Sequence, residues 1–166
     1  MNPLSPDEQK RRLNELSNRV LGLCLEVHRE LGPGLLESAY EEALAFELAQ
    51  AGIAFARQCE VPLLYKGQPL SCGYRLDFII EDQLILELKA VTELLPVHHA
   101  QLLTYLKLER RSLGLLINFN VPLLKKGICR VVAGRLFREE KRFGGDLGHL
   151  MLLFAAALPL WIKSWF

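Results

Sequence analysis

In the stretch YRLDFIIEDQLILELKAV, from Tyr74 to Val91, three charged residues stand among apolar ones: Asp77, Glu87 and Lys89. Alternating apolar side chains on either side of a polar turn predict two strands of a hairpin. Leu76, Phe78 and Ile80 alternate on the first strand, and Leu84, Leu86 and Leu88 on the second. With Glu81-Asp82-Gln83 as the loop, Ile80 pairs with Leu84, Phe78 with Leu86 and Leu76 with Leu88, and all six share one buried face. That register sets Asp77 opposite Glu87, with Lys89 two residues on and on the same face. Carboxylates that face each other across a ladder repel. A divalent cation between them turns repulsion into binding, and carboxylate oxygens with a backbone carbonyl and waters suit Mg2+ or Mn2+. Lys89 then stands beside the ion, where an ammonium can hold a phosphate oxygen or an attacking water. The rival reading is a solvated sheet face with an ordinary Asp77–Lys89 ion pair. Ile79 and Ile85, paired on the same face, favour a partly covered cleft instead.

Such a cluster works only if neighbouring elements close around it. Gln101 and Tyr105 are four residues apart in HHAQLLTYLKL, so they share one helix face, while Leu102, Leu103 and Leu106 lie to the other side and pack on the sheet. The functional reading has Gln101 reaching back to the hairpin; the bland one is a solvent-facing polar stripe. In GPGLLESAY, Glu37 falls in the first turn of a helix, where the dipole favours a carboxylate in any case. Its functional reading is a third acid near the metal, with Tyr40 one turn on. His28 reads as a packed helix histidine, and His98 and His99 as capping or surface groups at a helix start.

The positioning elements follow from periodicity. Leu16, Val20, Leu23, Val27 and Leu31 recur at helical spacing and predict a helix from about Glu8 to Leu31, which Gly32-Pro33-Gly34 stops. A second helix runs from about Leu35 to Gln50. Period two then takes over, with strands over Phe55–Tyr65, Leu70–Ile80 and Leu84–Val91. A helix from about His98 to Arg110 leads to the apolar strand Leu113–Phe119, and Gly127–Gly134 holds one more. The order is helix, helix, three strands, helix, strand, strand. It predicts an α/β sandwich: an antiparallel meander, a helical crossover to a parallel strand, and a mixed sheet flanked by helices.

With 166 residues the chain suits one domain, and at 51% apolar and 23% charged it has an ordinary globular composition. The formal charge of +1 excludes a global field for a polyanion. Seven basic residues do gather after Val121, at Lys125, Lys126, Arg130, Arg135, Arg138, Lys141 and Arg142, enough for a local patch. Cys24, Cys59, Cys72 and Cys129 are scattered, which excludes a zinc framework and reads as reduced core thiols in a cytoplasmic protein. The first residues carry no secretory pattern. Residues 1–12 read as a flexible lead-in, 13–142 as the domain and 143–166 as an apolar extension. Within that extension the run Leu150–Ile162 is short of the roughly twenty residues a membrane span needs. It is expected to pack on its own domain or across a homodimer interface rather than to touch a membrane.

The ordered set is more specific than its parts. Gly34, Glu37 and Tyr40 form G-x-x-E-x-x-Y; then come a strand ending in Asp77, E-x-K at Glu87 and Lys89, Q-x-x-x-Y at Gln101 and Tyr105, GLLINFN and KKGICRVV. This closely resembles the GxxExxY family, a group assigned to the PD-(D/E)xK nuclease superfamily, over roughly Leu13 to Val132. Leu76 stands where the motif name has proline. The resemblance implies a restriction-endonuclease-like αβββαβ core and a Mg2+- or Mn2+-dependent phosphodiesterase acting on DNA or RNA. It implies Asp77 and Glu87 as metal ligands and Lys89 as the residue that orients water and stabilises charge. It further implies Gln101 as the helix-borne motif residue, Tyr105 as a lining residue and Glu37 as the acid from the preceding helix. The alternative is a non-catalytic module of the same fold, docking through its apolar C-terminal segment.

Overall fold

The computed structural model describes residues 4–134. The C-terminal apolar run, with the dimer contact expected of it, and Arg135, Arg138, Lys141 and Arg142 lie outside the described residues. The first helix, α1 (Pro6–Leu31), begins earlier than its apolar stripe suggests. Ser5 and Glu8 form a capping box in which the Ser5 N–H donates to the Glu8 carboxylate at 2.9 Å and the Glu8 N–H donates to the Ser5 hydroxyl at 3.3 Å. Residues 6–12 are therefore helical, which corrects the expectation of a lead-in over 1–12. Pro6 opens the helix instead of preventing it, because the first helical position lacks an N–H partner anyway.

Leu13, Leu16, Val20, Cys24 and Val27 form the buried stripe of α1, and Leu31 at its end is exposed. Gly32 and Gly34, with φ of 66° and 100°, turn the chain into α2 (Glu37–Gln50). Tyr40 holds that turn from below: its hydroxyl donates to the Gly32 carbonyl at 2.7 Å and accepts from the Leu35 N–H at 3.1 Å. The fully buried Tyr40 ring stacks on Phe119 with centroids 4.5 Å apart.

The sheet comprises β1 (Phe55–Tyr65), β2 (Gln68–Ile80), β3 (Leu84–Lys89), β4 (Leu113–Asn118) and β5 (Ile128–Val132), side by side in that order. β3 and β4 are parallel, joined by α3 (Pro96–Leu108), and every other pairing is antiparallel. This is the α/β architecture with a mixed sheet that the element order predicts. α1 and α2 pack on one face with Phe78, Ile80, Leu84, Leu86 and Leu88. On the other face α3 covers Ile85 and Leu116 with Leu102, Tyr105 and Leu106. No helix among the described residues is long and apolar enough to cross a membrane. Cys24 is a core thiol as expected, whereas Cys59 and Cys129 are only half-buried.

The hairpin register is the expected one, with Ile80 opposite Leu84 and Phe78 opposite Leu86, but the ladder ends there. Leu76 is buried on the α3 side with Ile85, so the six leucine-type positions do not all share one face. The reason lies at one step of the ladder. Regular pairing on the β1 side also lapses at Gln58 and Asp77, and Gln58 is in the left-handed region at φ 51°. The alternation of faces breaks at Asp77.

Tyr40→Phe keeps the ring stack but leaves the Gly32 carbonyl and Leu35 N–H without their partner. Urea denaturation is expected to show a loss of about 1–2 kcal/mol; unchanged stability would mean the Tyr40 hydroxyl does not hold the turn that delivers Glu37.

Candidate active site

Where the β2–β3 ladder ends, side chains take over its hydrogen bonds. Asp77 Oδ2 accepts from the Leu88 N–H at 2.8 Å, so the carboxylate bridges the gap between the strands. Glu87, next in register beyond Leu86, is buried at 3% exposure. Its Oε1 accepts from Lys89 Nζ at 2.9 Å, and its Oε2 is buried without a hydrogen-bond partner. Lys89 Nζ also donates to the Leu88 carbonyl at 2.7 Å and stands 3.9 Å from Glu37 Oε1. Opposite, on α3, Gln101 Nε2 donates to the Tyr105 hydroxyl.

The six side chains singled out in the sequence, Glu37, Asp77, Glu87, Lys89, Gln101 and Tyr105, thus line one cleft of about 580 Å³. They come from α2, both strands of the hairpin and α3. Lys89 pairs with Glu87 and Glu37, not with Asp77, and is itself largely covered, so the solvated cross-strand ion pair is not what forms. The strand that carries Glu87 and Lys89 is held firmly at its exit. Buried Asn118, beside Lys89 in the parallel ladder, accepts from the Val91 N–H at 3.1 Å and donates to the Val91 carbonyl at 2.7 Å. The Phe119 N–H donates to the Lys89 carbonyl at 2.8 Å.

The electrostatics are those of crowded acids. Loss of solvent, then repulsion from Asp77, pushes the Glu87 carboxyl up to about 7 against the pull of Lys89. Burial also raises Asp77, opposed by its bond from the Leu88 N–H and by Lys89. Burial raises Glu37 too, with Lys89 opposing. For Lys89 burial favours the neutral amine, but Glu87, Glu37 and Asp77 outweigh it and hold the ammonium above its ordinary range. Burial raises the Tyr105 phenol as well, against the hydrogen bond from Gln101.

Among the described residues no group of three or more His, Cys, Asp or Glu side chains is gathered as a ready ligand cage. The donor set is two carboxylates, with Lys89 between Glu87 and Glu37. Two acids suit a hard ion that keeps most of its water, as Mg2+ does, better than a dedicated cage. The unpartnered Glu87 Oε2 is the observation that fits a cation here, since a buried carboxylate oxygen with no donor is otherwise pure cost.

Several contributors escape a first reading of the sequence. Arg57 bonds Glu41 at 3.0 Å and Glu42 at 3.0 Å, tying β1 to α2 beside the cleft, and Gln58 donates to Glu41 at 2.8 Å. Arg75, Tyr74, Glu41 and Gln58 also line the cleft. Arg75 was within reach, because it is two residues from Asp77 on the same strand. His28 and His98 behave as read, whereas His99 is half-buried instead of capping the helix: His28 Nε2 lies 2.8 Å from the Val121 carbonyl, and His98 Nδ1 accepts from the Leu95 N–H at 3.0 Å at the start of α3. His99 contacts Cys129 Sγ at 3.3 Å.

In comparison with known proteins, the family model described as PD-(D/E)XK nuclease superfamily matches residues 14–131. No curated protein and no solved structure matches the chain.

The raised carboxyl values fix the sign of a pH effect. The folded state holds a proton on Glu87 up to about 7, where the unfolded chain releases it near 4.5. Folded stability is therefore full below the ordinary carboxylate range and falls as pH rises through about 7, by an amount on the order of a few kcal/mol. Asp77 and Glu37 act in the same direction. In chelator, the melting midpoint is expected to drop between about pH 5 and about pH 8, and Glu87→Gln is expected to remove most of that drop. An equally steep drop in Glu87→Gln would refute the assignment.

Proposed function

The chain belongs to the PD-(D/E)XK nuclease superfamily, and from that premise we propose that it is a divalent-metal-dependent phosphodiesterase acting on DNA or RNA, of the GxxExxY group within the superfamily. The observation that carries the reading is buried Glu87 beside half-buried Asp77 with Lys89 against it, one Glu87 oxygen being left without a partner. The superfamily typically uses divalent metals, and Asp77 and Glu87 are the residues that would hold Mg2+ or Mn2+. When bound, such an ion offsets the negative charge of the phosphate and makes water acidic enough to attack near neutral pH.

The chain's own groups do the rest. Lys89, fixed by the Leu88 carbonyl and faced by Glu37, presents its ammonium to the attacking water and to the charge that grows on the phosphate oxygens. Its raised pKa keeps it a proton donor throughout the neutral range, so it stabilises charge and does not act as a base. Glu37 aims Lys89, and its own place is set by the Gly32–Leu35 turn on Tyr40. Gln101 holds the Tyr105 hydroxyl, and Tyr105 forms the α3 wall of the cleft. Lys125 and Lys126, exposed on the short turn Leu124–Lys126, supply sequence-independent phosphate contacts.

Incubation of the protein with single-stranded DNA, duplex DNA and RNA in Mg2+ or Mn2+ is expected to give cleavage that chelator abolishes. Lys89→Ala is expected to slow it by about 10²–10³-fold, the usual worth of one positioned charge-stabilising donor. Cleavage that persists in chelator, or that Lys89→Ala leaves at full rate, would contradict the proposal.

A further inference from the structure

Beside the cleft lies a second depression of about 610 Å³ on the β1–β2 hairpin. The two hollows are continuous in lining: Gly73, Tyr74 and Arg75 belong to both. The depression has a structural origin. Between Pro62 and Leu64 the ladder shifts register, so that β1 advances two residues while β2 advances four, from Gly73 to Pro69. β2 therefore carries two more residues than β1 across this step. Gly73 keeps the junction tight, since a Cβ on it would sit 2.8 Å from the Val61 carbonyl oxygen.

The lining has the chemistry of a nucleoside site. Pro62, Leu70 and Tyr74 offer apolar surface to the faces of a base, and Ser71 and Glu60 offer acceptors to its edge. Arg75 stands at the junction with the cleft, exposed, and close enough for its charge to act on Asp77. The other arginine on this wall, Arg57, is already held by Glu41 and Glu42. A guanidinium between two connected hollows suits the phosphate that links two nucleotides. The volume lies within the range of single-ligand pockets. A base enters such a hollow only when it has left its stack, so the strand must be unpaired at that point.

Resting on the phosphodiesterase reading, we propose that this hairpin depression is a nucleotide subsite: it receives the unpaired nucleoside next to the scissile phosphate, and Arg75 grips the phosphate between. The substrate is accordingly single-stranded, or locally unpaired, beside the cut.

The test uses the full chain with Ca2+ in place of Mg2+, to hold the probe uncleaved. Fluorescence anisotropy compares a labelled single-stranded oligodeoxynucleotide, the RNA of the same sequence and the blunt DNA duplex. Either single strand is expected to bind at least about tenfold more tightly than the duplex. Arg75→Ala, which removes the grip, and Ser71→Trp, which fills the hollow, are each expected to weaken single-strand binding by about tenfold. Their melting midpoints and Mn2+ affinities should not fall, which separates a lost subsite from a lost fold or metal site. The relative affinity of the DNA and RNA strands identifies the sugar. Duplex bound as tightly as single strand overturns the subsite, and so does single-strand binding that both variants retain, even where cleavage remains dependent on Lys89. Absence of binding to every nucleic acid overturns the phosphodiesterase reading along with it.

Discussion

Burying a carboxylate away from water costs several kcal/mol unless donors replace the solvent, and at Glu87 the replacement is half complete. One oxygen has the Lys89 ammonium; the other has nothing, and the Asp77 carboxylate is close enough to add repulsion. A chain shaped by stability alone would place a leucine or glutamine at that position. The rest of the structure is arranged around keeping this unfavourable group where it is. The fully buried leucines and isoleucines of β3 and β4 supply the compensation, since each such side chain contributes about 1.5–3 kcal/mol on burial. Storing unfavourable electrostatics at one point of a well-packed sheet is the usual pattern of a functional site.

The architecture serves that group in three ways. The hairpin ladder ends one step before the acids, which frees Asp77 to bond the Leu88 N–H and to face the cleft. The parallel neighbour β4 pins the exit of β3 through Asn118 and Phe119, which fixes the backbone that carries Lys89. The glycine turn clamped by Tyr40 brings α2 in with Glu37 at its first turn, facing Lys89. The G-x-x-E-x-x-Y spacing acquires a physical meaning from this. Gly34 supplies a left-handed backbone, Glu37 the cleft acid, and Tyr40 the buried clamp beneath both.

Much of this was legible in the sequence because it rests on short-range rules. Period-two and helical patterns of Leu, Ile and Val located each element, and the apolar matching of Phe78 with Leu86 set the register that aligns the acids. Three features were not legible. The first turns of α1 read as part of a lead-in, and only the place of Pro6 at the first helical position reveals it as a helix starter. The break in alternation at Asp77 depends on Gln58 across the ladder, a long-range relation that shifts Leu76 to the opposite face. The widening of β2 near Pro69–Gly73 has no local signal, so neither the second hollow nor the part of Arg75 in it could be read from the chain alone.

The central claim is that the unsatisfied Glu87 carboxylate, with Asp77, is built to receive a divalent cation. Calorimetric titration of chelator-treated protein with Mn2+ near neutral pH addresses it most directly. Saturable uptake that Glu87→Gln abolishes, with the fold intact by circular dichroism, is the predicted result. Mn2+ uptake of undiminished affinity in Glu87→Gln, or none in the unaltered protein, would contradict the account.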